Sequence, residues 1–87
     1  TAFALEQNYP NPFNPATKVS FSVPGEAMVS IRLFNILGNE VATLVSRRYE
    51  AGRHDVEFNA AALPSGVYIY TMRAGTFTSS RKMVLMR

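Results

Sequence analysis

Residues 17–23 decide the fold, and they read Thr-Lys-Val-Ser-Phe-Ser-Val. Every second residue from Val19 onward is apolar, and the residues between are polar. Successive side chains of an extended chain point to opposite faces, so this segment would carry one apolar and one polar face. Pro24-Gly25, a dipeptide that favours a turn, ends the segment. We therefore predict a β-strand that buries one of its faces.

Similar short segments follow, separated by turn signals. No stretch of ten or more residues shows the apolar period of 3.6 that marks an amphipathic helix. A chain of 87 residues has room for a single domain, and regularly spaced turns predict a small all-β sandwich or barrel. A bulge or a helical turn is expected in the strand that starts at residue 40, and residues 47–52 are expected to form a polar loop. Further strands are predicted at residues 28–35, 40–45, 53–58, 66–72 and 76–87.

An unusual stretch precedes the first strand. Residues 5–15 read Leu-Glu-Gln-Asn-Tyr-Pro-Asn-Pro-Phe-Asn-Pro. Proline fixes one backbone angle, lacks an N–H donor and keeps the preceding residue out of the helical region, so this stretch is extended or turning. We expect Leu5, Tyr9 and Phe13 to hold it on the sandwich. The alternative is a flexible proline-rich linker, or a ligand for an aromatic groove.

Composition excludes several classes of function. The chain has no cysteine and one histidine, which rules out disulfides, zinc–thiolate sites, thiol nucleophiles and multi-histidine metal sites. The net charge of +3 is spread along the chain, whereas a nucleic-acid binder usually concentrates its basic residues on one face. No apolar run approaches 18 residues. We therefore expect no cofactor, no nucleic-acid partner and no insertion into a membrane.

The ionisable residues do not suggest an enzyme. Asp55 and Glu57 are near neighbours, but both fall on the polar face of a predicted strand. His54 falls on the apolar face of the same strand, where a histidine at the edge of the core with one hydrogen-bond partner is expected. Neither a nucleophile elbow nor a glycine-rich phosphate loop is present. We predict that the domain is not an enzyme.

The carboxyl-terminal segment, residues 82–87, also needs an explanation. It reads Lys-Met-Val-Leu-Met-Arg, with four consecutive apolar residues between two basic ones. Chain ends are normally polar and frayed. The apolar residues therefore either dock into the sheet or are recognised by another protein, and the pattern alone leaves both interpretations open. We call residues 82–87 the tail, and residues 1–16 the arm.

Several blocks of the sequence, taken in order, resemble a known family. The arm block contains Asn-Pro-Phe-Asn-Pro, and a later block reads Leu-Pro-Ser-Gly-Val-Tyr-Ile-Tyr. Together they resemble the C-terminal sorting domain of the bacterial type IX secretion system, in its type A variety. The middle blocks also resemble the immunoglobulin-like domain of flagellar-hook capping proteins. Arg87 stands where lysine is common in the family. The blocks are residues 7–15, 29–35, 37–41, 51–54, 63–70 and 82–87.

The resemblance implies both a fold and a function. The expected fold is a small immunoglobulin-like antiparallel β-sandwich of about seven strands at residues 17–87, with the arm at residues 1–16 packed on it. The expected function is a sorting signal for a cargo domain on its N-terminal side, which reaches the periplasm through an upstream signal peptide. The outer-membrane secretion machinery would then export the cargo, and a sortase-like peptidase would remove the signal and attach the cargo to the cell surface.

The resemblance also points to particular residues. The tail would be the recognition element, with exposed strand backbone available to extend a partner's sheet; its residues are Lys82, Met83, Val84, Leu85, Met86 and Arg87. The arm motif is either recognised or only braces the sandwich; it comprises Asn11, Pro12, Phe13, Asn14 and Pro15. Structural roles are expected for Gly38, Gly52, Gly66 and Tyr68, the glycines at turns and the tyrosine packed.

A different function remains possible for the same sequence. Tyr68 and Tyr70 alternate onto one face of a predicted strand, and two exposed tyrosine rings would stack on sugar rings. This alternative is an immunoglobulin-like accessory or carbohydrate-binding module of a secreted enzyme. It requires both rings to be exposed, whereas a role in the core requires both to be buried.

Overall fold

A computed structural model describes residues 2–86. These residues form no helix, so no segment within them crosses a membrane as an apolar helix. The prediction of an all-β fold is confirmed. The strands are β1 (Ala4–Leu5), β2 (Ala16–Val23), β3 (Ala27–Phe34), β4 (Glu40–Tyr49), β5 (Gly52–Asn59), β6 (Gly66–Ala74) and β7 (Phe77–Leu85).

The seven strands form two antiparallel sheets that pack face to face. One sheet has the order β1-β2-β5, and the other has the order β4-β3-β6-β7. The chain passes between the sheets after β2, after β4 and after β5. Such crossing connections are typical of immunoglobulin-like sandwiches. The predicted small β-sandwich of about seven strands is therefore confirmed.

Alternation of apolar and polar residues explains the core. In β2, the apolar residues Val19, Phe21 and Val23 are fully buried against the other sheet. In β3, Ile31 and Leu33 are buried in the same way. Each such side chain contributes about 1.5 to 3 kcal/mol through removal from water. The period-two pattern in the sequence thus identifies the inner faces of both sheets.

Tyr68 ties β6 to the loop that leads into it. Its ring is buried, and its hydroxyl donates a hydrogen bond to the carbonyl oxygen of Pro64 over 2.6 Å. Immunoglobulin-like folds carry the same arrangement, in which a tyrosine near the start of this strand bonds to backbone a few residues upstream. The hydroxyl fixes the loop, and the ring fills the core below it.

The predicted loop at residues 47–52 is wrong. Strand β4 continues to Tyr49, and only Glu50 and Ala51 separate it from β5. The ring of Tyr49 is buried because it packs edge-on against Phe21, with 4.9 Å between ring centroids. A polar sequence therefore forms a strand here, because one aromatic side chain reaches the core.

The irregularity expected in this strand is present. The pairing of β3 with β4 shifts register between Ile31 and Arg32, and again between Leu33 and Phe34. Two bulges therefore interrupt β4, and no helical turn forms. Bulges of this kind bend and twist an edge strand.

Four glycines have a positive φ that other residues rarely adopt, and two of these glycines lie in the turns that join neighbouring strands. Gly38 has a φ of 86° in the turn between β3 and β4, and Gly75 has a φ of 59° in the turn between β6 and β7. Both values lie in the left-handed region, where a side chain causes strain. Gly52 and Gly66 stand at the first positions of β5 and β6, directly after the connections.

Candidate functional site

The arm pairs with the outer edge of β7, at the tail. The Phe13 N–H donates to the carbonyl oxygen of Val84 over 2.9 Å, and the Met86 N–H donates to the carbonyl oxygen of Phe13 over 3.0 Å. Phe13 thus forms a parallel bridge with Leu85. Its side chain is only 2% exposed and belongs to the core. We call this contact the arm–tail junction.

Two side chains of the arm complete the junction. The side-chain oxygen of Asn11 accepts a hydrogen bond from the Val84 N–H over 2.9 Å. The side-chain nitrogen of Gln7 donates to the carbonyl oxygen of Lys82 over 2.6 Å. Four backbone groups at this edge are therefore already bonded, namely the carbonyl oxygen of Lys82, both groups of Val84 and the N–H of Met86. The expectation that they are available to extend a partner's sheet is wrong, because the arm occupies that edge.

The tail presents alternate side chains to solvent. Met83 and Leu85 are fully buried in the core. Lys82 is exposed, Val84 is half-buried, and Met86 is 56% exposed. The apolar run therefore docks into the sandwich through Met83 and Leu85, while Val84 and Met86 remain accessible, and recognition of the tail stays a prediction. Arg87, the last predicted recognition residue, lies outside the described residues.

A comparison with protein families covers the residues on both sides of the arm–tail junction. A family model described as "Secretion system C-terminal sorting domain" matches residues 7–86, which include both sides of the arm–tail junction. The chain belongs to this family. It is a C-terminal sorting signal for type IX secretion, and it marks a secreted or cell-surface protein. A comparison with curated proteins found no match.

A buried polar network anchors the arm of the sorting domain. The hydroxyl of Tyr70 donates to the carbonyl oxygen of Glu6 over 2.7 Å and accepts from the Asn8 N–H over 2.8 Å. The side-chain nitrogen of Asn8 donates to the hydroxyl of Thr17 over 2.9 Å and to the carbonyl oxygen of Pro10 over 3.0 Å. Burial raises the pKa of Tyr70, although its bond from Asn8 opposes that shift.

Sequence reasoning missed the anchoring roles of Asn8 and Tyr70. For Tyr70 the sequence did offer an indication, because a tyrosine in a predicted central strand is expected to be buried and a buried tyrosine hydroxyl needs a hydrogen-bond partner. Residue type and spacing gave no indication that the partner was the arm, which lies more than 60 positions away. Within residues 2–86, no buried side-chain nitrogen or oxygen lacks a partner.

Replacing Tyr70 with phenylalanine should destabilise the sorting domain by about 1 to 3 kcal/mol, because Glu6 and Asn8 each lose a partner for a backbone group. Urea denaturation followed by circular dichroism measures the change. Tyr9→Phe is the matched control, since it removes the same atom from a ring that is 81% exposed. An equal, small effect of the two substitutions would contradict the anchoring role.

Tyr9 does not hold the arm through its side chain, contrary to expectation. Its backbone exchanges two hydrogen bonds of 3.0 Å with Lys18, but its ring is directed to solvent. Leu5 and Phe13 are buried and perform the expected role. The arm is therefore attached to the sandwich by the side chains of Leu5 and Phe13 and the backbone of Tyr9, and the interpretation as a flexible linker is wrong.

The tyrosines considered for sugar binding are not accessible. Tyr68 is almost completely buried, and Tyr70 is fully buried. Stacking on a sugar requires an open ring face, which neither residue offers. The carbohydrate-binding interpretation based on these two rings is therefore wrong.

The acidic residues and the histidine have structural partners. The hydroxyl of Ser20 donates to a carboxylate oxygen of Asp55 over 2.6 Å, and this bond lowers the pKa of Asp55. A ring nitrogen of His54 lies 2.7 Å from the carbonyl oxygen of Glu50, and the ring packs beside Tyr49. The predicted core-edge histidine is confirmed. In the described part of the chain, no three histidine or acidic residues are grouped as metal ligands.

Proposed function

We propose that the export machinery recognises this sorting domain in its folded state, through the side chains of the tail that remain accessible. Within the described residues these are Lys82, Val84 and Met86. The observation that carries the proposal is the arm–tail junction, which holds the tail in one extended conformation through backbone bonds of Phe13. A pre-ordered surface binds with little loss of conformational entropy.

Side chains, and not the strand edge, carry this recognition. The carbonyl oxygen of Lys82, both backbone groups of Val84 and the N–H of Met86 are bonded to the arm. The accessible strip begins with the basic Lys82 and continues with the apolar Val84 and Met86, and in the sequence a second basic residue, Arg87, follows. Apolar atoms contribute buried area and basic ends fix the register on an acidic partner, as at other interfaces.

The proposal includes the route and fate of the cargo. The cargo reaches the periplasm through an upstream signal peptide and then crosses the outer membrane under the direction of this domain. A sortase-like peptidase removes the domain and joins the cargo to the cell surface. The resemblance of the sequence blocks to the type IX family supports these steps. They predict that a surface-attached cargo has lost the mass of the domain.

The test fuses the chain behind a periplasmic reporter in a bacterium that has the type IX machinery. The variant combines Lys82→Glu, Val84→Thr and Met86→Ser, all at accessible positions. Removal of an interface centre costs about 2 kcal/mol or more, so we expect surface reporter to fall by at least about tenfold. The matched control combines Lys18→Glu and Tyr9→Ser, at exposed positions away from the tail.

Urea denaturation of each purified chain separates a loss of recognition from a loss of folding. Retention of the unmodified fusion inside the cell would contradict the sorting function. A variant that folds normally and is exported as well as the unmodified fusion would contradict recognition through the tail.

A further inference from the structure

The outward face of the four-stranded sheet carries an excess of positive charge. Residues at paired positions on neighbouring antiparallel strands project from the same face. Arg32 pairs with Thr71, Arg73 with Ser30, and Lys82 with Ile69, which places all three cations on this face. We call it the basic face. Its charged residues are Arg32, Arg48, Arg73, Lys82 and one acid, Glu40.

Two of these four cations have an acidic partner, and two have none within the described residues. The guanidinium of Arg32 lies 3.9 Å from the carboxylate of Glu40, and the guanidinium of Arg48 lies 3.5 Å from that of Glu26. Exposed pairs of this kind contribute little. Arg73 and Lys82 form no ion pair with any residue in the range 2–86. The field in front of the basic face is therefore positive.

The outward face of the other sheet differs. There Lys18 stands opposite Glu57, and the guanidinium of Arg53 lies 3.0 Å from the carboxylate of Glu6. With Asp55 also on this face, acids and bases are mixed. The charge excess belongs to the basic face and is not a general property of the surface.

The centre of the basic face is an open cleft of about 460 Å³. Guanidinium groups bind carboxylates through paired N–H donors, and hydroxyl groups add further donors. A cleft with two arginines and two hydroxyls therefore suits carboxylate side chains. Its lining residues are Ser30, Arg32, Phe34, Thr71 and Arg73.

An apolar patch adjoins the cleft at the end of the sheet nearest the tail. Phe34 pairs with Ile69, and Val67 pairs with Val84, so these four side chains share the outward face. Val67 is exposed, and the other three are half-buried. A contiguous apolar patch beside polar residues is a typical protein-binding surface.

The turn after β3 extends the apolar patch. Ile36 and Leu37 are 78% and 80% exposed. The side-chain oxygen of Asn35 accepts hydrogen bonds of 3.0 Å from the N–H groups of Leu37 and Asn39, which fixes the turn. The two exposed aliphatic side chains are thus held on an ordered backbone, which lowers the entropy lost on binding.

We propose that the basic face is a docking surface for a protein whose contact patch has an apolar centre and acidic side chains beside it. The acids bind Arg32 and Arg73 in the cleft, and the apolar centre covers the patch around Val67. Charge complementarity favours this occupant over a second copy of the chain, because two basic faces repel each other. This inference rests on the proposed function, since the face continues into the tail through Lys82 and Val84.

The experiment uses the same export fusion, with substitutions that leave the tail unchanged. One variant combines Arg32→Glu and Arg73→Glu, and a second carries Val67→Ser. Each is expected to lower surface reporter by at least about tenfold. The controls are Lys18→Glu for charge and Tyr9→Ser for apolar area, both at exposed positions away from the basic face.

The outcomes separate this inference from the proposed function. If the unmodified fusion is not exported, the proposed function fails. If it is exported, and both face variants fold and are exported equally well, the docking surface is overturned while the sorting function stands. Analytical ultracentrifugation of the purified chain measures its oligomeric state and so tests whether a second copy occupies the basic face. A dimer that Arg73→Glu dissociates would assign the face to a second copy and overturn the proposal.

Discussion

Replacing Phe13 with alanine is expected to destabilise the sorting domain by about 3 to 5 kcal/mol, the usual cost of removing a fully buried aromatic side chain. Phe13 is 2% exposed, and its backbone bridges to Val84 and Met86. Loss of the ring therefore also weakens the arm–tail junction. Urea denaturation gives the change in unfolding free energy, and the export fusion gives its effect on secretion.

The control for this substitution is Tyr9→Ala, four positions earlier in the same arm. It removes an aromatic ring that is 81% exposed, and we expect a change within about 0.5 kcal/mol, as for other surface substitutions. If the two alanine variants have similar stability, the packing of the arm against the sandwich is not what the structure describes.

Deleting residues 82–87 is expected to leave most of the domain unfolded. The deletion removes Met83 and Leu85 from the core, and each such loss costs about 2 to 5 kcal/mol when the residue is replaced with alanine. The sum is comparable with the whole folding free energy of a small domain, about 5 to 15 kcal/mol. Circular dichroism and one-dimensional proton spectra of the truncated chain measure the folded fraction.

This expectation determines how the tail must be tested for recognition. A truncated fusion that stays inside the cell has lost its fold as well as its tail, so it does not identify the recognition residues. The combination of Lys82→Glu, Val84→Thr and Met86→Ser keeps both buried side chains. If the truncated chain gave the proton spectrum of a fully folded domain, burial of Met83 and Leu85 would not be essential.

The strands with strict alternation were predictable from the sequence. In β2 and β3 the period-two pattern alone identifies the buried residues, because burial of one face is a local property of a strand. The end of β4 was not predictable in this way. Its last residues are two arginines and a tyrosine; they pair with the first residues of β3, and the burial of Tyr49 against Phe21 of the other sheet has no signal in the local sequence.

The arm–tail junction was beyond sequence reasoning for a related physical reason. Asn11 and Val84 are 73 positions apart, and no local pattern indicates that one bonds to the other. The family resemblance identified both segments as important without indicating that they touch. The basic face was also missed, because its arginines are scattered along the chain and only the register of β3, β6 and β7 brings them together.

Because Phe13 and Asn11 bond to the last strand, the state of folding determines when the tail can be recognised. The six residues of the tail, fused to another protein, would lack the arm that holds them extended. The same applies to a chain of this domain in which the arm has not yet folded. Export would therefore begin only after the whole domain has folded. The recognition surface would therefore form only when both ends of this domain have folded together.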